Sequence, residues 1–176
     1  MTLLDVMTSP WAITPDKLVE IQGVYDSHLR GEQVNLTAVE AQIGAPLNNP
    51  PQGYEVVNGT AVIPIHGVIA RRMNLFSQVS GGVSTELIQR DFNSAIRDES
   101  VNRIVLNIDS PGGAVDGTAE LAQTIYEARG RKPIIALANG TMASAAYWIG
   151  SAADSLFISG PTAQVGSIGI IATHMD

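Results

Sequence analysis

The chain has 176 residues, 45% of them apolar, with mean hydropathy +0.14, enough for the core of one domain with a modest appendage. It contains no cysteine, which excludes disulfides, thiolate nucleophiles and cysteine-based zinc sites and leaves hydroxyls as the natural nucleophile candidates. The net charge of −7 and the isolated basic pairs Arg71-Arg72 and Arg131-Lys132 argue against nucleic acid as a partner. No apolar run approaches the ~18 residues of a membrane span, and the first residues lack the basic flank of a secretory signal, so a soluble, cytoplasmic chain with no membrane in this segment is expected.

In chain order, Leu18, Ile21, Tyr25 and His28 form a helical stripe within residues 14–29, with Thr14 as N-cap and Pro15 in the first helical position. Thr37-Ala-Val-Glu40 reads as a capping box for a second short helix that Gly44 ends. Residues 45–53, rich in Pro, Asn and Gly, read as a linker. The expected organisation is an N-terminal helical appendage over 1–44, the linker, and a main domain over 54–176.

Strands and helices then alternate. Strands are expected at Ala61–His66, Arg103–Asp109, Ile134–Ala138, Leu156–Ser159 and Ser167–Ile171. Helices are expected at Ser84–Asp98, Asp116–Arg129 and Ala143–Ala153. Repeated βαβ units predict an α/β fold with right-handed crossovers. The apolar stretch Met73–Val79 with Gly81-Gly82 reads as a surface loop.

In such sheets functional groups collect beyond the carboxyl ends of strands. Two segments stand out there. Asp109-Ser-Pro-Gly-Gly113 has paired glycines that let backbone N–H groups face a ligand, although an ordinary strand-to-helix turn has the same composition. Gly140-Thr-Met-Ala-Ser144-Ala-Ala-Tyr-Trp148 puts a hydroxyl at the start of an alanine-rich helix, where a plain N-cap serine is the bland alternative. Small neighbours leave room for a substrate at Ser144, and the N–H groups of Ala145 and Gly113, with Gly112 beside them, are candidates for holding an oxyanion.

These residues resemble a known family, the signal-peptide-peptidase-A-like serine peptidases, and within it the phage branch of head-maturation and capsid-assembly proteases. The resemblance runs through Val62-Ile-Pro-Ile-His-Gly67, Ile108-Asp-Ser-Pro-Gly-Gly113, Lys132-Pro-Ile-Ile-Ala136, Met142-Ala-Ser-Ala-Ala-Tyr-Trp148 and Gly166-Ser-Ile-Gly-Ile170, in the family's order. It implies a Clp-protease/crotonase-like fold and a Ser-Lys peptidase needing no cofactor or metal. Its implied substrates are scaffold or capsid proteins in the phage prohead or host cytoplasm, and its implied assembly is a homo-oligomeric ring. It assigns Ser144 as nucleophile, Gly113 to the oxyanion-hole segment and Ser167 to positioning the catalytic lysine.

The family's lysine base lies beyond the Gly-Ser-Ile-Gly motif, and the reading expects the sequence to be incomplete there, with this segment alone inactive. Of the two lysines present, Lys132 precedes the strand whose far end leads to Ser144, a separation of roughly 15 to 20 Å at ~3.3 Å per residue. Lys17 reads as a solvated helix residue. Two alternatives stand beside this reading. One is a Ser-His-Asp peptidase of Clp type drawing on His66, His174 and Asp109. The other is a non-catalytic capsid-assembly or oligomerisation factor. A crotonase-type acyl-CoA enzyme lacks an obvious carboxylate base in the serine motif.

Overall fold

The computed structural model describes residues 10–15, 18, 19, 30, 53–72 and 82–171. The second appendage helix, all of the first beyond its opening turn, the linker up to residue 52, the loop 73–81, Lys17 and His174 lie outside the described residues. At that opening turn the Leu18 N–H donates to the Thr14 carbonyl at 3.1 Å, with Pro15 helical as expected.

The strands are β1 (Trp11–Ile13), β2 (Glu55–Val57), β3 (Thr60–His66), β4 (Ile69–Ala70), β5 (Val83–Ser84), β6 (Arg103–Ser110), β7 (Gly112–Ala114), β8 (Ile134–Ala143), β9 (Ser155–Ile158) and β10 (Gln164–Gly166). The helices are α1 (Thr85–Arg97), α2 (Thr118–Glu127) and α3 (Ala145–Ser151). The larger sheet runs β10-β8-β6-β3-β2, with β9 also on β8. Its pairs are parallel except β2–β3, a hairpin that turns through Asn58 and Gly59 at φ 50° and 73°. Positive φ at both central residues is what a tight hairpin matched to strand twist requires, and Asn-Gly supplies it at least cost.

Each central strand buries one face. Ala61, Ile63 and Ile65 of β3, Ile104, Leu106 and Ile108 of β6, and Ile134, Ala136 and Ala138 of β8 alternate into the core, where they join Ile88, Phe92 and Ile96 of α1, Leu121 and Ile125 of α2, and Ile149 of α3. The β6 strand is therefore buried on alternate residues, because helices cover one face.

A second, smaller sheet ordered β1-β7-β4-β5 was not expected. The chain enters it twice directly from the larger sheet, from β3 through Gly67 into β4 and from β6 through Pro111 into β7. Ser110 secures this corner: its hydroxyl donates to the Gly67 carbonyl at 2.6 Å and accepts from the Gly112 N–H at 3.1 Å. β1 is buried along its whole length, with Trp11 and Ile13 packed against Leu18, Val68 and Ala114. The segment expected as a separate appendage thus sends one strand into the main body.

Several expected boundaries move. β8 continues past Ala138 to Ala143, and α3 spans Ala145–Ser151 rather than Ala143–Ala153. α2 starts at Thr118 rather than Asp116 because Gly117 takes a left-handed conformation at φ 83°. The strand expected at Ser167–Ile171 lies earlier, at β10, because Gly166 and Ser167 at φ 140° and 56° break the extended backbone. Ile171 returns to make an antiparallel bridge with Trp11. Among the described residues no helix is long and apolar enough to cross a membrane, and no group of three or more acidic or histidine side chains is placed to hold a metal.

Candidate active site

Ser144 stands where β8 turns into α3. Its carbonyl accepts the first helical bond, from Trp148 N–H at 2.9 Å, so by backbone position it is an N-cap. Its side chain does not act as one: no side-chain capping bond is made, and the hydroxyl faces the Gly169 carbonyl at a long 3.4 Å. The backbone sits at φ 56°, ψ −115°, which a non-glycine residue adopts only when its surroundings over-determine it. What determines it here is visible. The Ser144 N–H donates to the Gly166 carbonyl at 2.8 Å, across the β8–β10 pair. Small buried residues on either side, Ala143, Ala145 and Ala146, leave the serine only 6% exposed without crowding it.

Gly112 lies against this serine. A Cβ on Gly112 would stand 3.0 Å from the Ser144 Cβ and 3.0 Å from the Ala143 carbonyl, and would collide with the Ala12 carbonyl of β1. At φ 105° only glycine fits there without strain. Gly113 points the other way, where a Cβ would collide with the Ile69 backbone, and its register partner is Ala12 of β1. The Gly112 N–H already donates to Ser110 Oγ, whereas Ala145, as the first residue of α3, has an N–H with no intrahelical acceptor. Ser167 follows the Gly166 carbonyl that holds Ser144 and is itself exposed at positive φ.

The remaining candidates separate from this centre. Lys132 Nζ donates to the Ala95 carbonyl at 2.9 Å and the Asp98 carbonyl at 2.5 Å, closing the C-terminus of α1 at the opposite end of β8. Asp109 accepts the Thr141 N–H at 2.9 Å. His66 is its register partner on β3, yet no hydrogen bond joins His66 to that carboxylate or to Ser144, and His66 Nε2 is buried without a partner. Arg71 and Arg72 pair with Glu86, and Arg71 also with Asp116 at 2.8 Å. Those acidic partners hold the Arg71 guanidinium above its ordinary pKa.

Two contributors escaped the sequence reading. Ser110 fixes the Gly112 turn, and its signal was a serine heading a Ser-Pro-Gly-Gly turn. The other is β1, whose three residues carry no periodicity to read.

A model of Peptidase family S49 matches residues 127–176, a span that holds Ser144, Ala145 and Ser167. This stretch is similar to S49 peptidases. The chain is 36% identical over 127 residues to head-tail preconnector protein GP5 of Enterobacteria phage P21, covering 72% of this chain and 25% of that protein. It is 35% identical over 148 residues to capsid assembly protease C of Escherichia phage lambda, covering 81% of this chain and 34% of that one. Protease 4 of Salmonella typhi is 32% identical over 94 residues, covering 53% and 15%. The chain therefore spans a quarter to a third of the length of the two phage relatives. Among solved structures, an enoyl-CoA hydratase/isomerase family member overlaps with TM-score 0.46 at 18% identity, over 60% of this chain and 46% of that one. That overlap says nothing about chemistry.

Proposed function

We propose that this S49-like segment carries the nucleophile of a Ser-Lys peptidase that cleaves scaffold or capsid proteins during phage head assembly. The observation that carries the reading is Ser144: a strained serine whose side chain declines the capping bond its position offers, packed against a glycine whose missing Cβ lets backbone come close beside it. Strain of this kind, held by the bond from Ser144 N–H to Gly166, keeps the hydroxyl off the α3 N-terminus, where it faces the Gly169 carbonyl across a long gap.

In the reaction the Ser144 hydroxyl adds to the scissile carbonyl as its proton passes to the base. The resulting oxyanion is held by the backbone N–H groups of Ala145 and Gly113. Collapse expels the amine, which takes the proton, and water then releases the acyl group. A lysine serves as base only if its pKa falls from about 10.4 toward neutrality. Lys132 is bound at the wrong end of β8. The reading therefore takes the lysine from outside these 176 residues, with Ser167 positioning it.

The phage relatives' roles in head assembly favour capsid assembly, and the exposed apolar side chains of β9, Leu156 at 37%, Phe157 at 56% and Ile158 at 57%, favour self-assembly or an assembly partner. That second observation also suits a purely structural assembly factor. The test expresses the chain alone and extended by the sequence encoded after Asp176, each with Ser144 and with Ser144→Ala, and follows cleavage of a scaffold protein. Cleavage by the extended protein that Ser144→Ala lowers at least ~10³-fold is expected. Cleavage that survives Ser144→Ala overturns the assignment, and inactivity of every form supports the assembly factor.

A further inference from the structure

We infer that β1 is a tethered occupant of the slot in which an extended substrate peptide binds, so that substrate enters by replacing this strand. The inference rests on the reading of Ser144 as nucleophile and adds to it the form of the substrate and a guard on the site.

Several independent features place β1 there. It runs antiparallel to β7, the strand that continues the Ser110-Pro-Gly-Gly turn, with Ala12 opposite Gly113 and Ile13 opposite Gly112. Backbone bonds bracket it, from Val115 N–H to the Pro10 carbonyl at 3.3 Å and from Thr14 N–H to the Pro111 carbonyl at 3.2 Å. On its other edge Trp11 and Ile171 exchange two bonds, of 2.9 and 2.8 Å. A peptide held between two backbone edges is recognised by its main chain, as in strand addition.

The occupant also lies beside the nucleophile. The point at which a Gly112 Cβ would collide with the Ala12 carbonyl oxygen is 3.0 Å from the Ser144 Cβ. The Ala12 carbonyl of β1 and the serine thus both border the gap left by the missing Gly112 side chain, so β1 backbone lies where a substrate must pass to reach Ser144. Arriving peptide would make the same backbone bonds that β1 gives up, so the exchange is closer to balanced than burial of Trp11 and Ile13 alone suggests. Pro10 and Pro15, which cannot donate to a ladder, keep the strand from lengthening at either end.

A labelled peptide of sequence Thr8-Ser-Pro-Trp-Ala-Ile-Thr-Pro-Asp16 is added to the full chain and its binding followed by fluorescence anisotropy. Competition from the tethered strand lowers apparent affinity by the fraction of chains in which the slot is open. Trp11→Ala, which removes the strand's main anchor, is expected to bind the peptide at least about tenfold more tightly than the unmodified chain. Equal affinity, or no binding to either, overturns the inference. Should Trp11→Ala fail to fold, Pro10→Cys with Val115→Cys in this otherwise cysteine-free chain locks the strand when oxidised. Peptide binding is then expected to rise at least about tenfold on reduction, and no change on reduction overturns the inference. Because the readout is binding, a chain without peptidase activity still answers, and peptide binding without cleavage by the extended protein counts against the proposed reaction alone.

Discussion

At Ser144 a cost in backbone conformation and an opportunity for chemistry coincide. Positive φ at a residue with a Cβ costs on the order of 1–3 kcal/mol, and glycine escapes it. Ser144→Gly is therefore expected to be more stable than Ser144→Ala by about 1 kcal/mol in urea unfolding at constant slope, although both lack the hydroxyl. Equal stability of the two would show that the backbone relaxes and the strain is not held. The hydroxyl's location was legible in the sequence, since a serine among alanines after a strand is a local pattern. Its strain was not, because the bond from Gly166 comes from another strand. Gly112 and Gly113 were legible as a pair but not as two residues with opposite tasks, one beside the serine and one against Ile69, because that difference depends on which side of β7 each faces.

Helices and strands with a full period of apolar residues were read correctly in kind and nearly in extent: β3, β6, α1, α2 and α3 each show an alternating or helical stripe facing the core. The elements that escaped have two or three residues, too few for any period, and are held by pairing alone. The Asn58-Gly59 hairpin was announced by its turn residues and passed over. α3 shows how such a short helix is kept in place. Arg129 reaches from the end of α2 to donate to the carbonyls of Ser151 at 3.0 Å, Ala152 at 2.8 Å and Ala153 at 2.6 Å, and its guanidinium lies 4.5 Å from the centre of the Tyr126 ring. Helix-end carbonyls without intrahelical partners are satisfied from outside. Arg129→Ala should cost about 1–2 kcal/mol in urea unfolding, and Arg129→Lys should recover only part of it. An unchanged midpoint for Arg129→Ala would mean that water replaces all three bonds.

Across the whole molecule, the chain passes twice directly from the larger sheet into the smaller one, so stability at the edge of one is felt by both. Asp98, at the C-terminus of α1, illustrates the charge side of this. Hydrogen bonds from the Ser100 hydroxyl and N–H, then from Tyr54, hold its carboxyl below the usual range. A carboxylate whose pKa falls on folding adds stability above its unfolded value of about 3.9 and loses it as pH drops through the folded one. Asp98→Asn should therefore destabilise the protein at pH 7, and the difference from the unmodified chain should shrink as pH falls below the carboxylate range. A difference that stays constant with pH would assign the effect to the amide's altered bonding instead. The bond from Ser144 to Gly166 has a consequence for how the chain comes into being. Synthesis runs from the N-terminus, so β1 leaves the ribosome long before the partner strand β7, while Gly166 follows Ser144. The slot is thus assembled around a strand already waiting for it, and the serine takes up its strained form only when β10 arrives: the guard is born before the blade.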